Sequence, residues 1–175
     1  MAERNENLWA PWRLEYIRGL ADKNDDGCFL CRYASQPGQD GENQVIWRGP
    51  ACLTAFNRFP YNNGHLLIAP LAHKADLDEL DEACLDELIR TVRDAKRLLK
   101  ETTSAHGFNV GMNFGRCAGA GLPGHLHVHI VPRWDGDTNF MPVIGSTRVI
   151  SQSIEALHAQ MRQAAVVLGL PPVRG

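Results

Sequence analysis

The chain has 175 residues, 44% of them hydrophobic, and a formal net charge of −2. That length and apolar content suit one compact domain with a packed core, and the near-neutral charge leaves no electrostatic footprint for a nucleic-acid polymer. No window has the apolar length of a membrane span, and five cysteines, odd in number and not spaced as a disulfide framework, point to a reducing, cytoplasmic setting.

Residues 1–7 are polar and charged and lack the basic-then-apolar layout of a secretory leader. Residues 8–17 read as a short amphipathic helix with Pro11 near its first turn; its aromatic side chains need a surface to cover, on the body or on a second subunit. Asn24-Asp25-Asp26-Gly27 is a turn and residues 37–43 form a polar loop. Between them lies Cys28-Phe29-Leu30-Cys31. That spacing is half of a zinc site, with a redox pair and two cysteines packed in a helical turn as the alternatives. Short strands are expected at 45–47 and 52–56 around Gly49-Pro50, and at 65–69 after the turn Pro60-Tyr61-Asn62-Asn63-Gly64. Leu77, Leu80, Cys84, Leu88, Val92, Ala95 and Leu99 recur at helical spacing and predict one long helix, acidic at its start and basic at its end. Strands follow at 108–113 and 126–131, then a final helix at 151–168, stopped by Gly169 and Pro171-Pro172. Strands in succession beside one long helix imply an α+β fold with a mostly antiparallel, five-stranded sheet. The expected organisation is a single domain over 1–175, with a short N-terminal helix within 1–20 and a C-terminal helix and tail within 145–175.

The densest chemistry is His125-Leu126-His127-Val128-His129, followed by Ile130-Val131-Pro132. Side chains alternate across a strand, so the three imidazoles share one face and Leu126, Val128 and Ile130 the other. A neutral imidazole can attack phosphorus and split a difficult displacement into two easier ones. Attack requires one ring aimed at the phosphorus, neighbours that hold anionic oxygens and an orienter for the other ring nitrogen. The competing chemistry is an open zinc site ligated by His125, His127 and His129. Just upstream, Asn113-Phe114-Gly115-Arg116-Cys117-Ala118-Gly119-Ala120-Gly121-Leu122-Pro123-Gly124 supplies the glycine-rich backbone that lets N–H groups converge on phosphate, although a flexible connection has the same composition. Beside three histidines the phosphate reading is preferred. His73, just before the long helix, and His125 are suitable extra ligands to go with Cys28 and Cys31. His106 and His158 are assigned surface or capping roles, and Cys52, Cys84 and Cys117 the role of small buried hydrophobes, with Cys117 oxidisable if exposed.

The His-x-His-x-His-hydrophobic-hydrophobic run resembles the signature of the histidine triad (HIT) superfamily of nucleotidyl hydrolases and transferases. The likeness continues through residues 56–70, 107–113 and 132–142. The Pro132-Arg133-Trp134 stretch and the Leu8-Trp9-Ala10-Pro11-Trp12-Arg13 start resemble the bacterial branch that includes diadenosine tetraphosphate phosphorylases. The resemblance implies that His127 is the nucleophile and that His129 contacts the α-phosphate and bridging oxygen. It further implies that Asn113 and the Gly119, Ala120 and Gly121 backbone hold the non-bridging oxygens. Asn57 falls where related hydrolases place a ribose-binding Asn, a turn residue being the alternative. His65 fits a satisfied structural histidine. Trp134, Asp137 and Asn139 are placed to line the leaving-group side, or else pack the loop. The resemblance also implies zinc on Cys28, Cys31, His73 and His125, no organic cofactor, and a homodimer. Related phosphoramidate hydrolases carry a hydroxyl residue shortly before the triad, where this chain has Gly121-Leu122-Pro123-Gly124. That difference shifts the expected substrate to a dinucleoside polyphosphate, diadenosine tetraphosphate first. Hydrolysis of adenylated small molecules and a non-catalytic nucleotide-binding module are the alternatives.

Overall fold

The computed structural model describes residues 27–137 and 150–170. The expected N-terminal helix, Asn139 and residues 171–175 lie outside the described residues. Five strands, β1 (Val45–Arg48), β2 (Cys52–Phe56), β3 (Leu66–Pro70), β4 (Gly107–Met112) and β5 (Val128–Arg133), form one sheet in the order β1-β2-β3-β5-β4. Every pairing is antiparallel, with Leu66 opposite Ile130 and Leu67 opposite His129 across the β3–β5 seam. Among the described residues three α-helices accompany the sheet: α1 (Phe29–Ser35), α2 (Glu82–Thr103) and α3 (Ile154–Val167).

Strand alternation divides the core. Cys52, Phe56, Leu66, Ile68, Leu126, Val128 and Ile130 face Leu88, Ala95, Leu98 and Leu99 of α2 and Leu157, Met161 and Ala165 of α3. Leu53, Ala55 and Ala69 point the other way, onto Leu30 and Tyr33 of α1. One sheet face is thus closed by two helices. The other is covered by α1 at the β1–β3 end, and its β5 portion carries histidine. Arg48 fastens α1 from its C-terminal side: its Nε pairs with both oxygens of buried Asp40 at 3.0 and 2.9 Å, and its guanidinium donates to the Tyr33 and Ala34 carbonyls. A cation at a helix C-terminus satisfies carbonyls left without intrahelical donors.

Several expected boundaries move for identifiable reasons. The long helix does not include Leu77 or Leu80. Asp76 caps a separate 3₁₀ turn at Leu77–Glu79, Leu80 is extended, and the Asp81 carboxylate accepts the Cys84 N–H at 2.8 Å to start α2. β5 begins at Val128 because the Leu126 N–H is donated to Lys74 O, 2.6 Å, in the segment after β3. α3 starts where Ser153 accepts the Ala156 N–H. His158 is buried, against expectation: its Nε2–H donates to Val45 O at 3.0 Å and its ring meets Phe56 edge-on. Cys117 is exposed on the 3₁₀ turn Arg116–Ala118, whereas Cys52 and Cys84 are buried as expected.

Candidate active site

The start of α1, the segment after β3 and the approach to β5 come together beside the β3–β5 seam. Cys28 is the N-cap of α1, its Sγ accepting the Cys31 N–H at 3.4 Å, so both sulfurs lie at the start of the helix. His73 follows β3 and His125 precedes β5. The structure brings these four together: Cys28 Sγ is 3.0 Å from His125 Nδ1, Cys31 Sγ is 3.1 Å from His73 Nδ1 and 3.5 Å from His125 Nδ1. All four donor atoms lie within 4.8 Å of one another. The far nitrogen of His125, Nε2, donates to the Pro70 carbonyl at 2.9 Å. That bond leaves the Nδ1 lone pair directed at the sulfurs, the outer-shell arrangement of a metal-ligating histidine. Burial and the adjoining Cys28 push the Cys31 thiol up to about 11.

The other two triad histidines turn away from the cysteines. His127 is buried, and its Nδ1–H donates to the His125 carbonyl at 2.9 Å, leaving Nε2 with its lone pair. The His127 and His129 rings are 4.9 Å apart and nearly perpendicular. Burial lowers the pKa of His127 below its ordinary value; burial and then the neighbouring His127 push His129 down to about 4. Both imidazoles are therefore neutral at pH 7. The Nδ1 of His129 lies 3.0 Å from Nε2 of His65, which is fully buried. The Tyr61 ring covers His129 at 5.9 Å, nearly parallel.

Asn113, at the end of β4, and His129 share the wall of an open pocket of about 240 Å³ with Tyr61, Asn109, Gly111 and Val131. The glycine-rich turn uses left-handed backbone at Gly115 (φ 78°) and Gly119 (φ 86°). Two of its amides are committed within the turn, Gly119 N–H to Arg116 O at 3.0 Å and Ala120 N–H to Gly115 O at 3.4 Å. Asn57 is half-buried; its Oδ1 accepts the Phe59 N–H at 2.9 Å, the turn geometry, and its Nδ2 lies 3.3 Å from His65 Nδ1. Trp134 packs the loop, donating Nε1–H to Thr103 O. Asp137 pairs with Arg133 and accepts from Asn62 Nδ2 at 3.0 Å. Sequence reasoning missed the His65–His129 and Tyr61–His129 contacts. The available signal was that His65 adjoins a strand that must lie beside the triad strand.

The HIT domain family model matches residues 39–136, more than half of the chain. An AP-4-A phosphorylase of Mycobacterium tuberculosis is 37% identical over 156 residues, covering 84% of this chain and 77% of that protein. The asymmetrical bis(5'-nucleosyl)-tetraphosphatase of Schizosaccharomyces pombe is 33% identical over 95 residues, 54% of this chain and 52% of that protein. A solved structure of a hypothetical histidine triad nucleotide-binding protein from Sulfolobus tokodaii, 28% identical, superposes with a TM-score of 0.64 over 81% of this chain and 93% of that one. With its triad strand, its antiparallel sheet and these likenesses, the chain belongs to the HIT domain family.

Proposed function

We propose that this chain is a nucleotidyl hydrolase or transferase that cleaves dinucleoside polyphosphates, diadenosine tetraphosphate first, through a nucleotidyl-histidine on His127. The observation that supports it most is the His127 Nδ1–H to His125 O bond, which leaves a neutral Nε2 lone pair uncommitted to that bond and beside a second neutral imidazole. Nε2 attacks the α-phosphorus; a P–N bond forms as the P–O bond to the bridging oxygen breaks, and ATP leaves with the electron pair. His127 retains its Nδ1 proton, so the intermediate is a nucleotidyl-imidazolium and a good leaving group. An oxygen of water or orthophosphate then attacks phosphorus, giving AMP or ADP and the free neutral ring. His129 serves the bridging oxygen and Asn113 and the Gly121 backbone the non-bridging ones, with Asn139 at the nucleoside; the Gly119 and Ala120 amides are committed within their turn, and the Asn57 amide to the Phe59 N–H and His65. The groups on the substrate position it and stabilise charge. The named activities of the mycobacterial and yeast relatives support this substrate class.

The donor set Cys28, Cys31, His73 and His125 fits a tetrahedral zinc ion. Two thiols and two Nδ1 atoms face one another at separations close to the ~3.5 Å edges of such a site, and four protein ligands leave no open position. Bound there, zinc supplies structure, joining α1 to the β3–β5 seam and taking the place of the thiol protons. In the same proposal the whole chain is one domain, works in the cytoplasm and pairs as a homodimer. Support for pairing comes from β4, an edge strand on which Asn109, Val110 and Gly111 are exposed.

The test is product analysis with diadenosine tetraphosphate, with and without orthophosphate. ADP plus ATP, dependent on orthophosphate, identifies phosphorolysis, and AMP plus ATP identifies hydrolysis. Absence of turnover in both, or undiminished turnover by His127→Ala, overturns the assignment.

A further inference from the structure

Beyond His129 the same face of β5 continues through Val131 to Arg133, and β4 runs alongside, with Gly111 opposite His129 and Asn109 opposite Val131. Phe108 and Met112 turn toward the helices, so Asn109 and Gly111 belong to the histidine side. Gly111 leaves that side bare: a Cβ added there meets no atom within 4 Å. Glycine inside a strand marks a place where something approaches the main chain closely. The half-exposed Tyr61 ring borders the same hollow, together with Val131. Its polar end is fixed by a relay of side chains. Asp137 holds the Arg133 guanidinium twice, accepting from Nε at 2.6 Å and from Nη2 at 2.8 Å. Arg133 Nη1–H in turn donates to Asn109 Oδ1 at 2.8 Å. The amide oxygen is thereby committed, and Asn109 Nδ2 is the group left to donate to a ligand. No charged side chain lines the pocket of about 240 Å³. A phosphate would meet no cation among its lining residues, whereas a flat uncharged ring with acceptor nitrogens meets an aromatic surface, bare backbone and a donor.

We propose that this pocket is a subsite for the base of the departing nucleotide: the second nucleobase of the substrate stacks against Tyr61, lies along the bare main chain at Gly111 and accepts a hydrogen bond from Asn109 Nδ2. The inference rests on the proposed reaction, in which His127 attacks the α-phosphorus and the other half of the substrate leaves past His129. Val131 is four residues from His127, about 13 Å along the strand. The departing phosphates and sugar bridge that interval on the open side of the pocket, where water neutralises their charge, and only the base enters. The second nucleoside, and not the polyphosphate alone, is then part of what the protein selects. Gly111 makes the room, Tyr61 supplies the stacking face, and the Asp137–Arg133–Asn109 relay fixes which end of the amide the base meets.

The test compares diadenosine tetraphosphate with adenosine 5'-tetraphosphate, which lacks the second nucleoside. Both are titrated calorimetrically into the full chain carrying His127→Asn, which cannot form the nucleotidyl-histidine. Diadenosine tetraphosphate is expected to bind about 10-fold more tightly, the yield of one stacked base. Adding Gly111→Val, whose β-carbon meets no protein atom, is expected to bring the two Kd values together, with that of adenosine 5'-tetraphosphate changed less than about 2-fold. Asn109→Leu, which keeps bulk but removes the donor, is expected to shrink the ratio about 3-fold or more. Equal Kd values for the two probes before either substitution, or a ratio that survives both substitutions, overturns the proposal. Parallel weakening of both probes also overturns it and assigns the pocket to phosphate. If Gly111→Val fails to fold, or alters the subunit number in light scattering, Asn109→Leu decides. Absence of turnover of diadenosine tetraphosphate by the unsubstituted protein sinks the proposed reaction instead, and the ratio of Kd values still judges the subsite.

Discussion

Acidification offers a quantitative test of how the site is held. The folded protein keeps His129 neutral down to a pKa of about 4, against an ordinary value of 6.5, because burial and then the neighbouring His127 oppose its charge. The unfolded chain takes up this proton near pH 6.5, whereas the folded ring does so only near pH 4. The corresponding stability is complete above pH 6.5, declines as pH falls below it, and levels off near pH 4. The gap is worth roughly 3 kcal/mol at ~1.4 kcal/mol per pH unit; the ring is only partly buried, and discounting for solvent leaves about 2 kcal/mol. Urea unfolding of wild type and His129→Asn, measured from pH 7.5 to pH 4.5, isolates the effect. Other acid-sensitive groups, including the Cys/His cluster, are common to both proteins and cancel in the difference. The wild type should lose about 2 kcal/mol more than the variant over this range, most of it below pH 6. Parallel stability curves would refute the reasoning.

If zinc joins α1 to the sheet, stoichiometric metal should accompany the purified protein, and chelation or His73→Ala should lower Tm by about 10 °C; a metal-free protein with unchanged melting removes the staple. At Gly49 an added Cβ would sit 2.2 Å from Glu87 Oε1. That carboxylate accepts the Ala51 and Cys52 N–H groups at 2.8–3.0 Å. Gly49→Ala should therefore cost about 2–3 kcal/mol in unfolding experiments, and almost nothing when added to Glu87→Ala; full additivity in that pair would exclude the clash. Light scattering should find two subunits for the wild type and one for Val110→Asp, which puts charge on the exposed edge strand; a monomeric wild type rejects the pairing.

The strands were legible because they combine apolar alternation with clear punctuation: Cys52–Phe56 is found where it was expected, and Leu126, Val128 and Ile130 do share the helix-facing side of the sheet. Periodicity failed where a local cap overrode it. Leu77 and Leu80 continue the apolar spacing of α2, but Asp76 and Asp81 cap two separate segments, and a capping carboxylate is invisible to a hydrophobic pattern. His158 was misjudged because its partner, the Val45 carbonyl, is 113 residues away and belongs to the main chain. The grouping of Cys28, Cys31, His73 and His125 could be anticipated from residue type, whereas the orientation of each ring could not. Ring orientation depends on Pro70 O, His125 O and a buried His65, none of which carries a sequence signal for that task.

The acceptor that orients His127 is a peptide carbonyl, which no side-chain substitution can delete. A carboxylate in that place would favour the imidazolium and make the ring a stronger base; an uncharged carbonyl holds the ring in place while stabilising its charged form far less. The chain has thereby separated direction from basicity: the ring is aimed but kept available as a nucleophile. Removing that aim requires chemistry on the backbone itself, such as replacing the Leu126 residue by a hydroxy acid to weaken the His125 carbonyl as an acceptor. Conventional mutagenesis of the neighbours will therefore underestimate how much the orientation of His127 matters.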